Sequence, residues 1–148
     1  MAHVPYASVV GSLMHVMVCT QPDISHALGV LRRYISTPGK EYWTIFKRVF
    51  RYLCGTKDYA ILYQGKPGRD DNELNLRGFV DSNWARDLDR WRSTNGYVFK
   101  MFGGETSWMC NRQAVIAFSR TKVGYMATTH GRKEAVWLQR LCSGIRFE

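Results

Sequence analysis

Phe79-Val80-Asp81-Ser82-Asn83-Trp84 reads as a buried strand that ends in an exposed carboxylate. Further along, Ser119-Arg120-Thr121-Lys122-Val123-Gly124-Tyr125 opens a helix. A strand acid and helix acids brought together would hold divalent cations, which take oxygen ligands. The helix offers Lys122 and Gly124 at that point. An ammonium repels a cation and a glycine side chain supplies no oxygen. Of these two stretches, Asp81 alone carries a carboxylate.

Around that strand the pattern is β. Leu76 to Ser82 forms one strand and Gly96 to Phe102 a second. Gly103-Gly104 signals a tight turn, and Glu105 to Met109 completes a hairpin. Ala114-Val115-Ile116-Ala117-Phe118 leads into a last helix, Thr121 to Leu141, with a weak point at His130-Gly131. Upstream, Gly65 to Glu73 is a polar, turn-rich linker and marks the domain boundary; before it, Tyr59 to Tyr63 suits a short strand.

The N-terminal third is helical in period. Residues 6–18 suit an apolar helix. Thr20-Gln21-Pro22-Asp23 reads as a second start, with a hydroxyl cap and a first-turn proline. Ile24, Ala27, Leu28, Leu31 and Ile35 follow at helical spacing until Ser36-Thr37-Pro38-Gly39. A third helix, Glu41 to Leu53, carries Tyr42, Ile45, Phe46, Val49, Phe50 and Leu53 as its apolar stripe, with Gly55 as C-cap. The stretch Ala7 to Thr20 also has the length and small residues of a signal-peptide core, with cleavage near residue 20; no Lys or Arg precedes it and His15 interrupts it. Buried helix and signal peptide both stand as readings of residues 1–20.

The chain has 148 residues, 45% of them hydrophobic, with five Trp, which suffices for a packed core and excludes wholesale disorder. Lys and Arg number 21 against 12 acids, a net charge of +9 that favours nonspecific contact with polyanions such as nucleic acid. Cys19, Cys54, Cys110 and Cys142 are scattered without a C-x-x-C pair, so the expectation is buried free thiols and no metal site. No apolar run reaches membrane-spanning length.

These residues carry a family resemblance. Pro5-Tyr6-Ala7-Ser8-Val9-Val10-Gly11-Ser12-Leu13, Thr20-Gln21-Pro22-Asp23-Ile24 and Arg51-Tyr52-Leu53-Cys54-Gly55-Thr56 resemble the last part of a Ty1/copia-type reverse transcriptase. Val80 to Ala85, Ser93-Thr94-Asn95-Gly96-Tyr97, Ser107-Trp108 and Lys133 to Leu138 resemble the ribonuclease H segment that follows. The resemblance implies a mixed sheet with helices and an acidic cluster binding two Mg²⁺. Asp81 matches the first carboxylate of that cluster. Asn83 stands at the second acid of the strand end, and Lys122 and Gly124 replace both glutamates of the helix motif. A further family acid falls on a later strand and the polymerase carboxylates fall upstream. The expectation is therefore neither nuclease nor polymerase. Asp87 and Asp89 read as a solvated loop rather than substitute ligands.

A second resemblance is to secreted RxLR-type effectors of oomycete plant pathogens, which the chain resembles as a whole. Arg51-Tyr52-Leu53-Cys54 stands where their translocation motif would, with Cys54 in place of its second Arg. Arg69-Asp70-Asp71-Asn72-Glu73 follows as a degenerate acidic segment. From the residues alone, Arg51 belongs to the solvent face of the third helix and Leu53 to its core. The family implies secretion, entry into host plant cells (nucleus or cytoplasm) and suppression of defence and cell death. It implies a host protein partner, no membrane and no cofactor.

The sequence thus predicts an α+β chain: a truncated ribonuclease-H-like mixed sheet with a preceding helical segment. Its parts are residues 1–64, a linker 65–75, and an incomplete ribonuclease-H-like domain 76–148. The function expected is that of a non-enzymatic effector, or of a retrotransposon remnant with nonspecific nucleic-acid affinity.

Overall fold

In a computed structural model, residues 6–36, 39–64, 76–87 and 91–145 are described. The chain divides into two compact units, Met1–Ile61 and Leu62–Glu148. Thr37 and Pro38, the linker 65–75 with its acidic segment, and Asp89 lie outside the described residues.

The first unit is helical: α1 (Tyr6–Cys19), a 3-10 turn (Pro22–Ile24), α2 (Ser25–Leu31), a second 3-10 turn (Arg32–Tyr34) and α3 (Lys40–Gly55). Its core is one cluster: Tyr6, Val10 and Leu13 from α1, Ile24, Leu28 and Leu31 from the middle, Phe46 and Val49 from α3. The aromatic stripe of α3 is core in part: Phe46 is buried and stacks on Trp43 at 4.8 Å, whereas Phe50, which it meets at 4.7 Å, is exposed. The predicted Thr20 cap is replaced. Thr20 Oγ1 donates back to Val16 O at 3.3 Å, and Gln21 precedes the 3-10 turn that Pro22 starts. Proline fits there because the first turn has no partner for its missing N–H.

The second unit is α+β. Strands β1 (Arg77–Asp87), β2 (Arg92–Met101) and β3 (Gly104–Arg112) form an antiparallel sheet in the order β1-β2-β3, followed by α4 (Arg120–Gly144). Four expectations are corrected. The sheet is antiparallel throughout its described strands, where the resemblance implied a mixed one. Tyr59 to Tyr63 is no strand: Gln64 N and Tyr63 OH instead donate to Phe102 O and Glu105 O, both at 2.6 Å, at the hairpin tip. The hairpin turns on Phe102 and Gly103, at φ of 51° and 85°, so Gly104 already belongs to β3. There its missing Cβ leaves room for the Tyr63 ring, which one would approach to 2.7 Å. Finally, α4 runs unbroken through His130-Gly131 for 25 residues.

Gly131 shows why that last weak point is tolerated. A Cβ on it would lie 2.5 Å from Val80 Cγ2, so the glycine is where α4 comes down onto β1. Val123, Ala127 and Leu138 are buried on the same side of the helix, and Phe99 of β2 is buried in the sheet. Ser119 caps α4, its Oγ accepting from Lys122 N at 3.2 Å.

Candidate functional site

The sequence singles out two places, the strand end at Asp81 and the stretch Arg51 to Cys54.

β1 was read as buried; it is an edge strand, with Phe79 59% and Val80 40% exposed. Alternate residues of a strand face opposite ways. Val80 meets Gly131 of α4, so Asp81 and Phe79 face away from that helix. Asp81 is exposed and sits opposite Gly96 of β2. Lys122 lies in the first turn of α4, its Nζ 6.0 Å from the Phe118 ring centroid, and Gly124 borders open space. Among the described residues, no three His, Cys, Asp or Glu side chains cluster as a metal site.

What gathers between the sheet and α4 is polar and uncharged at its centre. Ser93, Asn95 and Gln113 are buried. Ser93 Oγ accepts from Ala85 N at 3.1 Å, holding the irregular end of β1, where Ala85 has φ of 50°. Asn95 Nδ2 lies 2.8 Å from His130 Nδ1. Gln113 Nε2 donates to Val123 O at 3.2 Å, and Ser107 Oγ donates to Glu134 Oε1 at 2.6 Å. Burial, then Glu134, raises the Tyr97 hydroxyl above its ordinary pKa. These contacts position α4 on β2 and β3; the sequence names Ser93 to Tyr97, Ser107 and Glu134 only as parts of a family pattern and does not single out Gln113.

The second place is a surface of α3. Arg51 and Cys54 are exposed, while Leu53 packs against the helical core, as its spacing predicts. Tyr52 OH donates to Asp23 Oδ2, and Asp23 Oδ1 accepts from Ile24 N at 2.9 Å. All four cysteines are free, against the expectation of burial: Cys19 and Cys54 are exposed, Cys110 and Cys142 half-buried. Cys54 thus presents a free thiol beside Arg51. No helix among the described residues is long and apolar enough to cross a membrane.

Comparison with known proteins places this geometry. The chain is 41% identical to "Secreted RxLR effector protein 161" of Plasmopara viticola over 138 residues, 93% of this chain and 94% of that protein. It belongs to the same family as that effector. It is also 44% identical over 95% of its length to the "Retrovirus-related Pol polyprotein from transposon TNT 1-94" of Nicotiana tabacum. A match at 34% to the polyprotein from transposon RE2 of Arabidopsis thaliana covers 97% of this chain. The chain spans about a tenth of the length of these polyproteins, 10% and 9%. No family model matches it. No solved structure matches it either. Both resemblances read from the sequence are thus shown.

Proposed function

We propose that this chain is a non-enzymatic secreted effector that enters host plant cells and suppresses host defence and cell death. The observation that carries the reading is the end-to-end match to an effector, 93% of one chain on 94% of the other. A polyprotein match that spans a tenth of the relative supports ancestry more than activity. The residues agree: Lys122 and Gly124 stand where the ribonuclease H pattern needs acids.

Packing adds a condition to secretion. Tyr6, Val10 and Leu13 of α1 are three of the eight residues in the helical core. A chain cut near residue 20 would lose them, so the reading that fits the fold is export with α1 retained. The test is to express the full chain with a C-terminal reporter in a eukaryotic secretion host. Reporter in the medium supports the effector reading; reporter held in the cells overturns it.

The second reading is a retroelement remnant with nonspecific nucleic-acid affinity, favoured by the net charge of +9 and the tobacco relative. Duplex binding that weakens steeply with salt supports it; flat salt dependence removes it.

A further inference from the structure

We propose that the solvent flank of α3 between Lys40 and Arg51 binds an acidic amphipathic helix of a partner protein. Lys40, Thr44, Lys47 and Arg51 recur at helical spacing and form one exposed row along α3, about 16 Å long. Among the described residues no acid pairs with Lys40, Lys47 or Arg51. The one acid within α3, Glu41, belongs to another flank of the helix, in line with Arg48.

A second row runs beside the first. Trp43, Phe50 and Cys54 recur along α3, and Lys47 stands between the two rings, four residues after Trp43 and three before Phe50. The rings are joined through the core: Trp43 lies within 7° of parallel to Phe46, and Phe46 meets Phe50. Phe46 is buried, yet Phe50 keeps 41% of its surface exposed. The flank is thus a ledge, an aromatic rim anchored in the core with a row of cations outside it. Aromatic rings and Arg in one patch are what protein interfaces favour.

Charge and ring together choose the occupant. Residues 6–36 and 39–61 hold seven Lys and Arg against three acids, and one of those acids, Asp23, already accepts from Tyr52. Carboxylates of a partner meet the cation row in a complementary field. An apolar stripe on the same partner covers Phe50. A phosphate backbone would engage the cations and leave Phe50 in water, so the two rows fit an amphipathic helix better than a nucleic acid. A second copy of α3 would bring like charges face to face. The proposal goes beyond the effector reading, naming the chemistry of a protein partner, and holds however the chain leaves its cell.

The test titrates the full chain with a capped, fluorescein-labelled peptide of about 12 residues, Leu on one helical face and Glu on the other. A scrambled peptide of the same composition keeps the charge and loses the face. Fluorescence anisotropy reads binding, and circular dichroism reads helix gained on mixing. The expected result is about tenfold tighter binding of the amphipathic peptide than of the scrambled one, with a gain of helix. Lys47→Glu and Phe50→Ala each weaken it about tenfold. Lys133→Glu, the same change of net charge at an exposed position of α4, leaves it unchanged. Equal binding of the scrambled peptide, or equal loss in the Lys47 and Lys133 variants, overturns the proposal. So does a DNA duplex that displaces the peptide and binds Phe50→Ala as well as the parent chain, which would make a nucleic acid the occupant. Peptide binding reports on this surface and export on the effector reading, so either can fail alone.

Discussion

The hydroxyl of Tyr52 on α3 donates to the carboxylate of Asp23 in the turn after α1, closing the helical unit across 29 residues of chain. The bond to Asp23 raises the Tyr52 pKa, with desolvation second. A raised phenol pKa stabilises the fold fully below the ordinary tyrosine value of about 10 and loses that contribution as pH rises through the raised value. Tyr52→Phe is therefore expected to lower the melting temperature at neutral pH and to flatten the decline of stability above about pH 10. Arg51→Ala, at an exposed position, should leave both unchanged. Thermal melts from neutral to alkaline pH check this, and they separate structural damage from any loss of host-cell entry in the Arg51 variant.

α1 carries a larger share of the same unit. Val10 and Leu28 are 0% and 1% exposed. Leu28→Ala should cost about 2–5 kcal/mol, and Val10→Ala somewhat less. Removing residues 1–20 should unfold the unit altogether, read as lost helical circular dichroism. A truncated chain that keeps the helicity of residues 22–55 would show that the unit does not need α1.

Two glycines of α4 should respond in opposite directions. Gly131→Ala drives a methyl into Val80 and should destabilise by about 1–3 kcal/mol, more than the gain of about 1 kcal/mol in helix propensity. Val80→Ala combined with Gly131→Ala should recover most of the loss. Gly124→Ala, facing open space, should stabilise by about 1 kcal/mol. Urea denaturation of the four proteins tests all of it.

Glu105 gives an acid-side signature. The hydrogen bond from Lys100 holds its carboxyl below the ordinary range. A lowered carboxylate pKa contributes stability that is present above the ordinary glutamate value of about 4.3 and is lost as pH falls through the lowered one. The pair is partly solvated, so Lys100→Ala should cost less than about 1 kcal/mol at neutral pH and nothing once Glu105 is protonated.

The periodicities in the sequence decide the elements well, and their surroundings poorly. Phe46, Val49 and Leu53 recur at helical spacing, and the structure makes them one inward stripe. The hairpin is legible from Gly103-Gly104, but its register moves by one residue because Phe102 itself takes positive φ and the Tyr63 ring requires Gly104. Tyr59 to Tyr63 has strand composition and forms none: Tyr59 N donates to Thr56 O in a turn, and Tyr63 OH donates to Glu105 O at the hairpin tip. The apolar run at Phe79 and Val80 resembles a buried strand locally; only the strand order reveals an edge. The same holds for the candidate site. Asp81, Lys122 and Gly124 are legible as residues, yet that Asp81 faces away from α4 follows from the contact between Val80 and Gly131, which no local pattern encodes.

The account rests on this chain acting outside the cell that makes it, and the most direct measurement follows where it goes. The full chain with a C-terminal reporter is expressed in a eukaryotic secretion host, and reporter is measured in medium and cells against a non-exported control of the same size. The account predicts reporter in the medium well above the control. Reporter confined to the cells at the control level would contradict it.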